Sequence, residues 1–185
     1  MLSEDVIHEA LDAYPKHAVF ARVEDDRLET LPDAFRDGTH LWKDVEWVVR
    51  WYCRRPLDAH DRASEEAFRE NGMDAVNAAI EQARTAADIP ERIAALTTLR
   101  GVDVPIASAF LQFIDPVSYA AIDERVWAAL REAGAIDQPY PSSVQIEMYD
   151  TFLRECHGLA ASTDLRVVDV ARALWVLGAN DHPTP

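Results

Sequence analysis

Lysine is nearly missing from this chain. Of 18 basic residues among 185, only Lys16 and Lys43 are lysines, set against 33 acidic residues. The formal net charge of −15 opposes the usual electrostatic footprint of a nucleic-acid binder, a basic face that gathers phosphates. The makeup of that charge matters more than its sum. Asp outnumbers Glu by 19 to 14, and an aspartate-rich, lysine-poor surface suits a protein working in molar salt. At 1 M salt the Debye length is ~3 Å, so like charges on such a surface scarcely feel one another. The expectation is a halophilic source and a fold that loses stability below roughly 0.5 M salt. Phosphate contacts weaken in the same solvent, so DNA binding there leans on stacking and shape.

Other shortages narrow the class further. Cys53 and Cys156 are the two cysteines, each inside a helical pattern, and they read as buried thiols of a reducing compartment. Six glycines and no low-complexity stretch argue against a flexible linker, so residues 1–185 read as one domain. There is no apolar run of ~18 residues and no charged-then-apolar N-terminus, which points to a cytoplasmic protein without a membrane span. The six histidines are scattered, with no zinc spacing. No strand run is convincing.

Helical periodicity fills the rest. Ser3 caps a first helix striped by Val6, Ile7, Ala10 and Leu11 and ended by Pro15. Residues 18–39 are ambiguous: Val19, Phe20 and Val23 suit an extended run, and Pro32-Asp33 opens a turn. From about His40 to Arg54 a third segment places Trp47 and Trp51 on one face. Arg50, Arg54 and Arg55 make the densest basic cluster of the chain, followed by Pro56. Two readings stand: arginines gripping phosphate beside tryptophans stacking on bases, or core tryptophans with arginines complementing the helix dipole. Two helices follow over 62–87, parted at Asn71-Gly72. Late in the chain Ser142 with Gln145 reads as a capping box opening a helix stopped by Gly158, and a last helix starts near Asp164 and ends at Gly178.

The organising stretch is Leu96 to Trp127. Ile93, Leu96 and Leu99 end one amphipathic helix, Gly101-Val102-Asp103-Val104 is a tight turn, and Pro105 opens the apolar run Ile106 to Ile114. Asp123 then stands at the mouth of a helix from Glu124 to Arg131. Leu99, Gly101, Val102 and Ala107, with Ile122-Asp123 placed 22 positions after Gly101, resemble the helix-hairpin-helix DNA glycosylases of the endonuclease III type. The hairpin motif spans about 90–114, and the aspartate with its helix spans 122–131.

That resemblance implies an all-α fold, roughly nine helices in a compact bundle of two lobes, and removal of a damaged or mismatched DNA base. Asp123 would be the catalytic carboxylate. Arg100, Gly101, Val102, Asp103, Val104 and Arg125, with Arg50 and Arg54, would bind DNA. Trp47, Trp51 and Trp127 would wall the pocket for a flipped base. Lyase members carry a lysine where this chain has Pro105, and a Schiff base needs an amine, so the implied enzyme is monofunctional. Two cysteines cannot hold the four-cysteine iron–sulfur cluster of many relatives, so no cofactor is expected beyond a monovalent cation at the hairpin.

Asp103 occupies the place of the second hairpin glycine, where it can cap the helix and repel phosphate; Arg125 stands where a histidine often follows the aspartate. Asp123 itself reads as a catalytic group or simply as an N-cap, and on capping alone Asp123→Asn changes stability by less than about 1 kcal/mol. A non-catalytic helix-hairpin-helix module that binds DNA or a protein is the alternative.

Overall fold

Backbone hydrogen bonds within helices account for nearly all the regular structure. The computed structural model describes residues 2–55 and 62–181, and these contain ten α-helices, no strand and a terminal 3-10 turn. The helices are α1 (Glu4–His17), α2 (Ala21–Asp37), α3 (Trp42–Arg54), α4 (Arg62–Phe68), α5 (Met73–Thr85), α6 (Ile89–Leu96), α7 (Val104–Ile114), α8 (Glu124–Glu132), α9 (Ile146–Thr163) and α10 (Val167–Leu177). None of them is long and apolar enough to cross a membrane. Pro56, the expected stop of the third helix, lies outside the described residues.

The chain is wound around α7. Every residue from Pro105 to Ile114 is buried, including the polar Ser108 and Gln112. A helix apolar on all sides has to be covered on all sides, and α2, α3, α6 and α9 supply the cover. A second packing centre is α10, laid against α1, α8 and α9. Fully burying a large apolar side chain stabilises by roughly 1.5–3 kcal/mol, and Phe110, Phe113, Trp51, Trp127 and Phe152 all lie within a single apolar cluster.

Two prolines behave otherwise than their sequence suggests. Pro15 sits inside the last turn of α1, which runs on to His17 and closes with Ala18 N–H on the Tyr14 carbonyl. The ambiguous segment 18–39 is mostly α2, a 17-residue helix with Pro32 in its interior. Proline removes one ladder bond, but the buried face of α2, Ala21, Glu24, Leu28, Leu31 and Phe35, holds the helix by packing. The stripe passes through a glutamate, which is why it does not read as apolar periodicity. Near the C-terminus Gln145, not Ser142, is the N-cap residue of α9. That helix continues through Gly158 to Thr163, where Asp164 ends it in the left-handed conformation at φ 55°. An interior glycine costs about 1 kcal/mol, too little to stop a helix whose Phe152, Leu153, Cys156 and Ala160 are buried.

Candidate functional site

Asp123 owes its position to an extended run held by side chains. After α7 the chain turns at Asp115 and passes back along the same helix. Gln112 Oε1 accepts from Ala121 N–H at 2.9 Å and Ser108 Oγ accepts from Ile122 N–H at 3.0 Å. From the other side the Tyr52 hydroxyl donates to the Ile122 carbonyl at 2.8 Å, and the Tyr149 hydroxyl donates to the Ala120 carbonyl at 3.3 Å. Extended backbone pinned this way delivers Asp123 to the head of α8, beside the N-terminal end of α7.

The two oxygens of Asp123 have different work. Oδ1 accepts from Val126 N–H at 3.0 Å and caps α8. Oδ2 lies 3.3 Å from Arg55 Nη1, and it is a buried oxygen with no hydrogen-bond partner among the described residues. Arg55 Nε and Nη1 are likewise buried without one. Both side chains are shut away, each residue being 6% exposed. Arg55 is held between two indoles, 4.9 Å from the Trp51 ring and 5.5 Å from the Trp175 ring, a cation–π sandwich. Burial by itself pulls the Arg55 pKa down, but the fields of Tyr14, Asp123 and Glu24 more than offset it, and the net shift is upward.

Behind Arg55 lies a second buried charge pair. Glu24, fully buried, accepts from the Tyr14 hydroxyl at 2.6 Å, from Trp51 Nε1 at 3.1 Å and from Arg172 Nε at 2.9 Å. A buried carboxylate so fully bonded is stable in place. In front of Asp123 stand two phenols. Tyr140 neighbours Tyr52, and Trp127 packs its ring 6.2 Å from Tyr140. Burial, then the negative charge of neighbours including Asp123 and Asp103, drives both phenol pKa values up, so each hydroxyl keeps its proton at neutral pH.

The expected turn between α6 and α7 has Gly101 at φ 73°. A β-carbon there would collide with the Ser64 carbonyl and lie 2.8 Å from Phe68 N, so the turn is packed against α4. Asn71 pins it further, its Nδ2 donating to the Arg100 carbonyl and its Oδ1 accepting from Arg100 N–H, both at 3.0 Å. Asp103 Oδ1 accepts from Ile106 N–H at 3.0 Å, so this carboxylate caps α7. Val102 is buried, and Val104 is half-buried in the first turn.

The basic residues expected to touch DNA are taken up by carboxylates or an indole of the chain itself. Arg54 makes a two-pronged contact to Glu65, Arg50 pairs with Glu46 and Glu65, and Arg100 pairs with Glu70. Arg125 lies 4.5 Å over the Trp175 ring. The aromatic candidates divide as well. Trp51 is core, and Trp47 stacks on it at 6.3 Å, both with edges on Phe113. Trp127 is also buried and donates to the Gln138 carbonyl at 2.7 Å. A cavity of about 400 Å³ adjoins it, lined by Ile136, Asp137, Gln138, Glu147 and Met148 among others, without Asp123.

Asp123, Asp103 and Trp127 thus share one neighbourhood, and Trp51 joins it through Arg55. Sequence reasoning left Tyr52 and Tyr140 out of the site and took Arg55 only as one of three arginines in a basic cluster. Tyr52 looked like helix filling. Only Tyr140 carried a signal, as an aromatic bracketed by prolines in a loop. Among the described residues no three His, Cys, Asp or Glu side chains are placed to hold a metal ion. No family model matches the sequence, and comparison with curated proteins and with solved structures gives no match.

Proposed function

We propose that this chain is a monofunctional DNA N-glycosylase-like hydrolase of the helix-hairpin-helix type, with Asp123 as its catalytic carboxylate. One observation carries the reading: Asp123 uses one oxygen to cap α8 and leaves the other buried without a hydrogen bond, beside a buried guanidinium and two phenol hydroxyls. The second oxygen is ion-paired with Arg55 at 3.3 Å, and a substrate or an attacking water that reached it would find a carboxylate held in its charged form. The sequence spacing supports it too, since Gly101 forms a left-handed turn and Asp123 opens the helix 22 positions later.

In this mechanism a damaged or mismatched base leaves the duplex and enters a pocket between two helical lobes. Asp123 stabilises positive charge growing on the deoxyribose as the N-glycosidic bond breaks, or orients the water that attacks it. The test is base release from oligonucleotides each carrying a single lesion, in low and in molar potassium chloride. Asp123→Asn lowers release by at least ~100-fold. Product strands keep an intact abasic site until treated with alkali, and borohydride traps no covalent complex, because Pro105 offers no amine. Unchanged release in Asp123→Asn removes the assignment, and borohydride trapping removes its monofunctional half.

A second reading, a non-catalytic module binding DNA or protein, is favoured by the carboxylate partners of Arg50, Arg54 and Arg100 and by the Asp103 cap. Binding of duplex DNA with no release of any base selects it.

A further inference from the structure

The far end of α7 carries a different kind of surface. Eleven helical residues rise about 16 Å, which separates the Asp103–Asp123 neighbourhood from a cavity of about 460 Å³ at Ile114 and Asp115. Arg36, Arg84 and Arg92 all line it, with Pro116, Val117 and Tyr119 as apolar wall. Three arginines lining one hollow stand out in a chain of net charge −15. Its size falls in the range of small-molecule sites, and it sets an apolar wall beside charged residues, the three arginines and Asp115.

The arginines differ in how firmly they are committed. Arg92 Nη1 donates to the Ala83 and Arg84 carbonyls at 2.7 and 3.1 Å, and the guanidinium lies 5.7 Å from the Tyr119 ring centre. Its contacts fix it in place, and none of them is an ion pair among the described residues. Arg84 meets Glu81 at 3.2 Å, and Arg36 meets Asp33 and Asp37, all three carboxylates being more than half exposed. Exposed pairs of this kind are worth little and exchange readily. Asp115 also lines the hollow, with Oδ1 turned to the Val117 and Ser118 N–H groups.

The geometry points to a binding site for a small organic phosphate monoester, held at its phosphate by Arg84, Arg92 and Arg36 and along its apolar or aromatic body by Tyr119, Pro116 and Val117. A phosphate presents three terminal oxygens to three guanidinium forks, where a carboxylate presents two. Tyr119 also lines a second cavity of about 410 Å³, with Arg154 and His157. The site stands apart from Asp123 and does not rest on the glycosylase reading.

The test is an NMR titration of the ¹⁵N-labelled full chain with phenyl phosphate, inorganic phosphate, benzoate and a 5′-phosphorylated trinucleotide, at a salt concentration where circular dichroism shows the fold intact. Phenyl phosphate gives saturable shifts at Arg84, Arg92, Val117 and Tyr119, and binds more tightly than the other three. Arg84→Gln weakens it about tenfold, the loss of one charge-assisted hydrogen-bonding group. Glu81→Gln tightens it by freeing Arg84. No saturable shift at these residues, or equal affinity in Arg84→Gln and the parent, overturns the site. Benzoate or inorganic phosphate binding as tightly as phenyl phosphate overturns the ligand class. Tighter binding of the trinucleotide overturns the small-molecule assignment in favour of a strand end.

Discussion

Arg55 and Asp123 meet at 3.3 Å, Nη1 to Oδ2, in a place where each is 6% exposed. A charge pair removed from water is held only while both members are present. Deleting one partner of such a pair costs about 3–5 kcal/mol, because the other is left buried and uncompensated. Arg55→Met therefore destabilises by that order. Asp123→Asn keeps the cap but strands Arg55, so its cost rises to about 3 kcal/mol, above the limit of about 1 kcal/mol set by capping alone. The double variant loses less than the sum of the two singles. Urea unfolding of the four proteins measures this, and strictly additive losses mean the two charges do not interact.

The turn before α7 makes separate predictions for fold and for DNA. Gly101→Ala forces a β-carbon against the α4 backbone at a φ of 73°, and the expected loss is about 2–4 kcal/mol. Any fall in DNA binding by that variant has to be corrected for unfolding. Asp103→Asn is the cleaner probe. Asn caps nearly as well as Asp, so melting is little changed while one negative charge leaves the N-terminus of α7. Non-specific duplex binding, followed by fluorescence anisotropy at fixed salt, tightens. Identical affinities for Asp103→Asn and the parent mean that the turn does not touch DNA.

What the sequence disclosed, and what it hid, follows from the range of the interactions involved. The all-α character, the turn at Gly101 and the caps at Asp103 and Asp123 are written in local patterns of three or four residues, and they appear in the structure where expected. Helix α2 was hidden because Glu24 occupies a core position, and the partners that make this tolerable, Tyr14, Trp51 and Arg172, come from three other helices. The surroundings of Asp123 were hidden for the same reason. Tyr52 is 70 residues from the Ile122 carbonyl it bonds. No spacing rule distinguishes Arg55, sandwiched between indoles, from Arg54, which reaches outward to Glu65.

Salt provides a test of the acidic surface. With 33 carboxylates against 18 basic groups, unscreened repulsion opposes the compact state. Melting temperature therefore rises with potassium chloride, most steeply below roughly 0.5 M, where the Debye length is longest and repulsion least screened. A melting temperature that stays level, or falls, as salt is added removes the halophile argument and restores the charge objection to DNA.

Alkaline pH acts through the tyrosines. Burial raises the pKa of Tyr14, Tyr52, Tyr140 and Tyr149, and the Cys156 thiol is pushed up by burial as well. In the unfolded chain a phenol releases its proton near pH ~10 and a thiol near ~8.5. The folded protein holds those protons to higher pH, so above these values the unfolded state binds fewer protons and stability falls as pH rises. Below about pH 8 the contribution of all five groups is fully present. Each group adds up to about 1.4 kcal/mol of loss per pH unit while it is ionised only when unfolded. Urea midpoints measured from about pH 8 to about pH 11 should decline with growing steepness. Tyrosinate absorbance should appear together with unfolding rather than ahead of it. Tyr140→Phe flattens the decline by removing one titrating group, since the Tyr52 hydroxyl still has the Ile122 carbonyl as its acceptor. A midpoint unchanged across that range, or tyrosinate from more than the half-buried Tyr119 forming in the folded protein near pH ~10, means the phenols beside Asp123 are open to solvent. The closed arrangement of Tyr52, Tyr140 and Asp123 would then not persist in solution.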